Sequence, residues 1–226
     1  MARKISIAID GPAGSGKSTT ARLLARELGY IYIDTGAMYR AVTYAVLQNK
    51  IDVNNEKQVS GLAGNLNIKL KMDSSGQRTM LNDKDVSDLI RTPAINEVIS
   101  IISTYSGVRR GLVLQQQKMA RNGGVVMDGR DIGTVVLPNA ELKVFLIASV
   151  EERAKRRLKE LENNGIKVRL DDVKKEITNR DQIDSSRKEA PLKKAEDARE
   201  LDTSELSIED QVRIIKHWAE ELIVLQ

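Results

Sequence analysis

A lysine and a serine close a glycine-rich loop near the start of the sequence. Residues 11–18 read GPAGSGKS and match G-x-x-x-x-G-K-[ST], a pattern whose backbone N–H groups surround phosphate oxygens. An apolar run predicts a strand that ends at Asp10, and the periodicity of residues 18–28 predicts a helix after the loop. In this context Lys17 is expected to reach the β- and γ-phosphates of a nucleoside triphosphate, and the Ser18 hydroxyl to hold Mg²⁺. The alternative is a glycine-rich turn that binds nothing, and the complete motif between a strand and a helix favours phosphate binding. The residues predicted to bind ATP are Gly11, Pro12, Ala13, Gly14, Ser15, Gly16, Lys17, Ser18 and Thr19.

A phosphate loop does not by itself distinguish a kinase from a GTPase or another ATPase. The sequence contains no N-K-x-D segment, which argues against guanine recognition. Asp128 ends a second apolar run, and two interpretations of it stay open: a carboxylate that supports the Mg²⁺ shell, or a strand-end carboxylate without a role.

Arginines indicate a second anion site. Phosphoryl transfer to an anionic acceptor needs cations on both sides, and arginine can bind two oxygens at once. Three arginines stand near predicted strand ends or helix starts: Arg40, Arg109 and Arg130. Two further groups lie in a charged segment: Arg153, Arg156 and Arg157 within one helical turn, and Arg180, Asp184 and Arg187 on one helical face. For these last two groups, ion-paired surface helices are an equally good interpretation.

The elements that must position these residues follow a βαβ rhythm. Strands are predicted at 5–10, 30–33, 124–128 and 143–147, with helices at 37–48 and near 108–122. A turn is predicted at 34–36, ahead of Arg40. Period-two alternation over 66–72 predicts an antiparallel insertion at about 50–104, and residues 151–199 predict a solvated pair of helices before an amphipathic helix at 202–225. The fold class is therefore a three-layer α/β fold with a central parallel sheet.

Composition narrows the classes of function. The 226 residues carry 36 Lys and Arg against 32 Asp and Glu, and this net charge of +4, with only 3% aromatic residues, disfavours nucleic acid as a partner. The absence of cysteine excludes disulfides and thiol nucleophiles, and His217, the single histidine, lies in the C-terminal helical pattern. No apolar stretch has membrane-spanning length and no signal-peptide core occurs, so we expect a cytoplasmic protein with no membrane partner.

In their order and spacing, several motifs resemble the bacterial cytidylate kinases, a family of nucleoside monophosphate (NMP) kinases. The motifs are GPAGSGKS, DTGAMYR, DGRDIGTVV, SVEERAKRRL, RDQIDSSR and APL, and the resemblance covers essentially the whole chain. It implies a P-loop NMP kinase fold with core segments 1–49, 105–150 and 189–226, a small α+β NMP-binding insertion at 50–104, and a helical lid at 151–188. It also implies a monomer that transfers the γ-phosphate of ATP to CMP or dCMP with Mg²⁺. The alternatives are a kinase for another acceptor, such as UMP or AMP, and a nucleotide-dependent switch.

The resemblance also implies roles for matching positions. Thr35 falls near the acceptor, and Arg40 and Arg130 match arginines that hold the CMP phosphate. Ser100, Arg109 and Asp131 match positions that read the cytosine edge, which offers an amino donor to a carboxylate and acceptors to Arg and Ser. Arg180, Asp184 and Arg187 match residues near the pentose. Arg153 and Arg157 resemble lid arginines that close over the donor phosphates, so the expected catalytic set is Lys17, Arg130, Arg153 and Arg157. One departure is Lys17-Ser18-Thr19, where some relatives have Lys-Gly-Thr.

Overall fold

The structure is a computed structural model that describes residues 4–73, 76–163 and 165–224. Strands and helices alternate along most of the chain. The elements are β1 (Ser6–Asp10), α1 (Lys17–Leu28), β2 (Ile31–Asp34), α2 (Thr35–Gln48), α3 (Glu56–Ala63), β3 (Ile68–Asp73), β4 (Gly76–Leu81), β5 (Lys84–Asp85), α4 (Pro93–Ile102), α5 (Ser106–Ala120), β6 (Val125–Gly129), one turn of π-helix (Ile132–Val136), β7 (Leu142–Ile147), α6 (Val150–Asn163), α7 (Leu170–Ser186), β8 (Arg199–Asp202) and α8 (Ile208–Val224).

The chain divides into two compact units. One, the phosphate-loop unit, comprises Met1–Tyr32 and Gly123–Gln226, and the other, the insertion unit, comprises Ile33–Asn122. Each unit has a hydrophobic core of its own. The insertion unit takes in α2 and α5 as well as the segment 50–104, and the domain boundaries expected from the sequence stay a prediction.

The phosphate-loop unit is built on the predicted parallel sheet. The strand order of this sheet is β2-β6-β1-β7-β8, of which β2 belongs to the unit only up to Tyr32, and the ladders β6-β1, β1-β7 and β7-β8 are parallel. β1 and β6 are short runs rich in β-branched residues and are buried almost throughout, as strands covered on both faces require. In their register Asp10 lies opposite Gly129, so the two loops that follow leave the same edge of the sheet side by side. Ligands bind at this carboxyl edge in open α/β sheets.

Helices α1 and α8 contribute apolar faces to the core of this unit. Leu24 of α1 and Ile215 of α8 are fully buried in the cluster that contains Ile7 and Ile9 of β1. Trp218, the single tryptophan, packs partly buried against the same cluster, and the Arg199 guanidinium lies 5.4 Å from the centre of its ring. The C-terminal helix therefore completes the core of the phosphate-loop unit.

The insertion unit confirms the antiparallel strands predicted from the period-two pattern. β3 pairs antiparallel with β4 and β4 with β5, with Ile68 opposite Leu81. The inward side chains of this small sheet join the cluster formed by α2, α4 and α5, in which Met38, Ile102 and Leu112 are buried. The cluster gives the insertion its own apolar interior.

Several local expectations were wrong. Asp34-Thr35-Gly36 is not a free turn, because α2 begins at Thr35 and the Asp34 carboxylate caps it by accepting from the Ala37 N–H at 2.8 Å. The last helix does not begin at residue 202: Arg199–Asp202 form β8, which pairs with β7, and α8 begins only at Ile208. The π-helical turn after β6 and the helices α3 and α4 were not predicted.

The charged segment does contain a pair of helices, α6 and α7. They share a small apolar core formed by Ala154, Val173 and Ile177. Among the residues that the structure describes, no helix is long and apolar enough to cross a membrane.

Candidate active site

The loop between β1 and α1 has the backbone geometry of an anion cradle. Gly16, at the N-cap of α1, has a φ of 89°, and Gly11 has a φ of 150°. A Cβ added to Gly11 would lie 2.2 Å from the Leu146 carbonyl oxygen, so only glycine fits this position. The loop leads directly into the N-terminus of α1, whose N–H groups and dipole favour an anion.

Lys17, the first residue of α1, is buried beneath this loop. Its Nζ donates to the Pro12 carbonyl at 2.6 Å and lies 3.3 Å from the Ser15 hydroxyl. Burial lowers the pKa of Lys17 well below its usual value, and the nearby charge of Arg130 lowers it further, with a smaller effect of Arg180 in the same direction. Cations gathered in a buried place are a favourable environment for a polyanion.

Asp128 is joined to Ser18 across the loop. The Ser18 hydroxyl donates to Asp128 Oδ2 at 2.6 Å, and the Tyr32 hydroxyl donates to Oδ1 at 2.9 Å. The Asp128 carboxylate therefore lies beside Ser18, the residue predicted to hold Mg²⁺, and its own role stays a prediction. Among the described residues no group of three or more His, Asp or Glu side chains could hold a metal ion without other ligands.

Asp10, the last residue of β1, contacts the turn that follows β6. Its carboxylate accepts from the Ile132 N–H and the Gly133 N–H, both at 2.8 Å. Burial raises the pKa of Asp10 to about 6, although the two backbone hydrogen bonds act in the opposite direction.

A buried ion network joins the loop after β6 to the end of α7. Arg130 Nε donates to Asp184 Oδ2 at 2.7 Å, and Arg187, at the C-cap of α7, pairs with Asp184 Oδ1. Burial alone raises the pKa of Asp184, but the charges of Arg130 and Arg187 outweigh it, so the net pKa lies below the usual value. Arg180 adds a weaker effect in the same direction. The structure therefore brings together four of the predicted acceptor residues.

Arg153 holds the phosphate loop instead of facing solvent. Its Nη1 donates to the Ala13 carbonyl at 2.9 Å and to Asp181 Oδ2 at 2.5 Å. Asp181 Oδ1 in turn accepts from the Ala13 N–H at 3.2 Å. The Arg153–Asp181 pair joins α6 to α7 as the ion-paired interpretation expects, but Arg153 is only 5% exposed and does not lie on a solvated face.

The two other arginines of this helical turn have different surroundings. Arg156 donates to the hydroxyl and to the carbonyl of Thr203, a buried residue whose own hydroxyl lies 3.2 Å from the Ser15 carbonyl. Arg157 pairs with Glu160 at 2.9 Å within α6. Arg156 therefore contacts the phosphate loop indirectly, through Thr203, whereas Arg157 forms an ion pair within its own helix.

The insertion unit holds four of the predicted residues, Thr35, Arg40, Ser100 and Arg109, whereas Asp131 lies buried in the phosphate-loop unit. Thr35 is buried in the first turn of α2. Arg40 Nη2 lies 3.3 Å from Asn96 Oδ1, and a Cβ added to Gly36 would lie 3.5 Å from Arg40 Nη1. The Arg40 guanidinium thus packs close to the start of its own helix.

Ser103 links two of the predicted base-reading residues within this unit. Arg109, in α5, is buried, donates to the Ser103 carbonyl at 3.4 Å and lies 5.9 Å from the centre of the Tyr39 ring. The Ser103 hydroxyl in turn donates to the carbonyl of Ser100 in α4. Ser100 and Arg109 are therefore both linked to Ser103, and their role in reading the base stays a prediction.

Sequence reasoning missed three residues that support the phosphate loop. Tyr32, Asp181 and Thr203 contact Asp128, Ala13 and Ser15 respectively. Asp181 lies inside the RDQIDSSR motif and was the one member with a sequence signal. The others are separated from their partners by 96 and 188 residues, which no local pattern can bridge.

Comparison with known proteins decides the family. The cytidylate kinase family model matches residues 7–221. The chain belongs to the cytidylate kinase family. A cytidylate kinase of Bacillus cereus strain B4264 is 54% identical over 215 residues, covering 95% of this chain and 96% of that protein. A cytidylate kinase of Bacillus anthracis is 53% identical over the same shares of the two chains.

The solved structures agree at the level of fold. An uncharacterized protein from Eubacterium ventriosum aligns with a TM-score of 0.50 and 13% identity, over 97% of this chain and 99% of that chain. Membership of the cytidylate kinase family confirms the resemblance recognised in the motifs and the α/β P-loop kinase fold expected from it. The roles of individual site residues stay predictions.

Proposed function

We propose that this protein transfers the γ-phosphoryl group of ATP to CMP or dCMP, giving ADP and CDP or dCDP. Membership of the cytidylate kinase family supports the choice of acceptor. The observation that carries the chemistry is the glycine-rich loop, which leads into the N-terminus of α1 with the buried Lys17 ammonium beneath it, its Nζ 2.6 Å from the Pro12 carbonyl oxygen. The burial of Lys17 and the nearby charge of Arg130 both lower the pKa of Lys17, so a bound polyanion would stabilise its charged form.

The phosphate-loop unit binds the donor in this proposal. Residues 11–19 surround the β- and γ-phosphates, with the backbone N–H groups after Ala13 as the donors, and Lys17 moves its Nζ from the Pro12 carbonyl to the phosphate oxygens. Arg153 is already bonded to the Ala13 carbonyl, so its guanidinium lies beside the loop that receives the γ-phosphate. Arg157 turns from Glu160 toward the donor phosphates when ATP is bound. These cations neutralise the charge that spreads over the equatorial oxygens in the transition state.

The acceptor residues proposed from the family fall into three groups, according to the part of CMP that each binds. Arg130 and Arg40 bind the CMP phosphate, with Thr35 beside it. Asp131, Arg109 and Ser100 bind the cytosine edge, where the carboxylate accepts from the amino group. The pentose set is Arg180, Asp184 and Arg187. The acceptor oxygen attacks in line and needs no general base, because a phosphate monoester is largely ionised at neutral pH.

The residues around Ser18 fit a magnesium ion. Ser18 offers a hydroxyl and Asp128 a carboxylate, and Mg²⁺ in such sites takes its remaining ligands from substrate phosphates and water. Ser18 would hold the ion through its hydroxyl and Asp128 would support it through a bound water, and the ion would supply positive charge to the phosphates of ATP.

A panel of acceptors tests the proposal. ADP formation from Mg·ATP is measured with CMP, dCMP, UMP, AMP and GMP, and without acceptor. Rapid turnover with CMP and dCMP alone supports the function. Preference for UMP or AMP would keep a kinase and overturn the acceptor assignment, and hydrolysis that ignores every acceptor would favour a nucleotide-dependent switch. We further propose a cytoplasmic monomer, for which light scattering is the test of oligomeric state.

A further inference from the structure

Asp10 lies where the phosphate loop and the loop after β6 leave the sheet. It is the last residue of β1 and only 5% exposed, and the next residue, Gly11, begins the phosphate loop. The two oxygens of its carboxylate bind another part of the chain. They accept from the Ile132 N–H and the Gly133 N–H, one oxygen to each.

These two N–H groups begin the π-helical turn Ile132–Val136. The first N–H groups of a helical turn have no acceptor within it and need one from outside. Asp131 occupies the N-cap position, where an aspartate commonly supplies that acceptor, yet its side chain makes no cap hydrogen bond. Asp10, which is 122 residues away from Ile132 in the sequence, supplies the capping oxygens.

The capping fixes a two-residue segment at both ends. Gly129, before the segment, lies in β6 opposite Asp10 in the parallel ladder. Ile132, after it, is bonded to the Asp10 carboxylate at 2.8 Å. Only Arg130 and Asp131 lie between these two anchors, so their backbone positions depend on Asp10 from both sides.

Close packing around the carboxylate supports a precise role. A Cβ added to Gly133 would lie 3.4 Å from Asp10 Oδ2 and 3.2 Å from Lys143 Cδ, so glycine lets the turn approach. The charged groups that face Asp10 are Lys17 of α1 and Asp131 of the turn, and Lys143 of β7 packs beside it with its Nζ paired to Asp197.

We infer that Asp10 is a positioning residue for acceptor recognition: by capping the turn after β6, it holds Arg130 and Asp131 where they bind the phosphate and the base of the acceptor. This inference rests on the proposed function. It assigns to the residue before the phosphate loop a role toward the acceptor, whereas its place in the sequence suggests a role toward ATP.

The test compares Asp10→Asn with wild type in steady-state assays with CMP and UMP as acceptors and ATP as donor. Asparagine keeps one acceptor oxygen but turns its amide N–H groups toward the second backbone donor, so one capping hydrogen bond is lost. Loss of a hydrogen bond to a charged group corresponds to a change of about tenfold or more in a binding constant. We expect the KM for CMP to rise by about tenfold and the CMP-over-UMP preference to fall, while the KM for ATP changes by less than about threefold.

Two further variants separate positioning from simple destabilisation. Asp197→Asn removes the partner of Lys143 and so disturbs the other neighbour of Gly133 without touching the capped N–H groups, and its kinetics should match wild type. In a double-mutant cycle, Asp10→Asn should cause little further loss of base preference when Asp131 is already alanine, because it acts through Asp131. Asp10→Ser is the second substitution if the asparagine variant does not fold.

The outcomes are distinguishable. If wild type shows no CMP-dependent ADP formation, the proposed function fails before any variant is compared. If wild type is active and Asp10→Asn raises the KM for CMP and the KM for ATP equally, the inference is overturned. It is also overturned if the CMP-over-UMP preference is unchanged, or if Asp10→Asn and Asp131→Ala act additively in the cycle.

Discussion

Replacement of Asp184 by asparagine is the substitution whose effect on stability the structure defines best. Asp184 is 3% exposed and bonds two arginines, Arg130 with 18% and Arg187 with 7% of the side chain exposed. Asparagine has nearly the same shape and can still accept from one guanidinium. The variant therefore isolates the loss of one negative charge between two positive ones.

The magnitude follows from the burial of the partners. Removing one member of a fully buried ion pair costs about 3–5 kcal/mol, because the remaining charge is left uncompensated. Arg130 keeps some contact with water and the asparagine oxygen keeps one hydrogen bond, so we expect a cost at or just below the bottom of this range, about 2–3 kcal/mol. For a chain of this size, that corresponds to a fall in Tm of about 5–10 °C.

The effect should depend on pH in a defined direction. The pKa of Asp184 lies below the usual value in the folded state. A carboxyl of this kind stabilises the fold above its unfolded-state pKa, near 4, and loses that contribution as pH falls through the lower folded-state value. The difference between wild type and Asp184→Asn should therefore be complete at pH 7 and should shrink below about pH 4.

The assay is guanidinium unfolding followed by circular dichroism, at pH 7 and at acid pH. The matched control is Glu221→Gln, which removes an ion pair with Arg199 that is about two-fifths exposed on both sides. Exposed pairs contribute about 0–1 kcal/mol, so this control should unfold close to wild type. If Asp184→Asn is no less stable than the control at pH 7, the buried network is not what the geometry indicates.

Three further changes address catalysis. Lys17→Ala should lower kcat by at least about a hundredfold while the fold is kept, because the phosphates lose a buried cation, and near-normal turnover would contradict the loop assignment. Ser18→Ala should raise the Mg²⁺ concentration needed for half-maximal activity, which a magnesium titration at fixed ATP measures; an unchanged titration would remove Ser18 from the metal site. Asp131→Ala should raise the KM for CMP far more than the KM for ATP and relax base choice, and kinetics with CMP and UMP that match wild type would disprove base reading.

Local chemistry made much of the fold and the phosphate loop predictable from the sequence. The glycines of residues 11–16 and the helix starting beside Lys17 form a contiguous motif, so their geometry depends on neighbours in the chain. Period-two alternation likewise predicted the hairpin around Ile68 because cross-strand pairing there is short-range. Such features need no knowledge of the rest of the molecule.

The unpredicted features depend on contacts between distant segments. The sequence predicts a turn at Asp34, but the Asp34 carboxylate caps α2, so the helix begins at the next residue, Thr35. Arg153 belongs to a helix rich in charged residues, which predicts exposure. It is buried because the phosphate loop packs against it, a contact between segments far apart in the sequence. β8 is a polar edge strand that contains Arg199, Glu200 and Asp202. It forms because its backbone pairs with the edge of β7 that β1 leaves open.

The position of Trp218 limits what fluorescence can report about this molecule. The single tryptophan packs against the core of the phosphate-loop unit, and the insertion unit contains no tryptophan in its sequence. Under selective tryptophan excitation, the melting of the core around Met38 and Leu112 is therefore invisible unless both cores unfold together. A fluorescence transition that precedes or follows the circular dichroism transition would show that the two cores are separate cooperative blocks. Because the chain has no cysteine, a single introduced thiol can carry a dye on either core and follow each one independently.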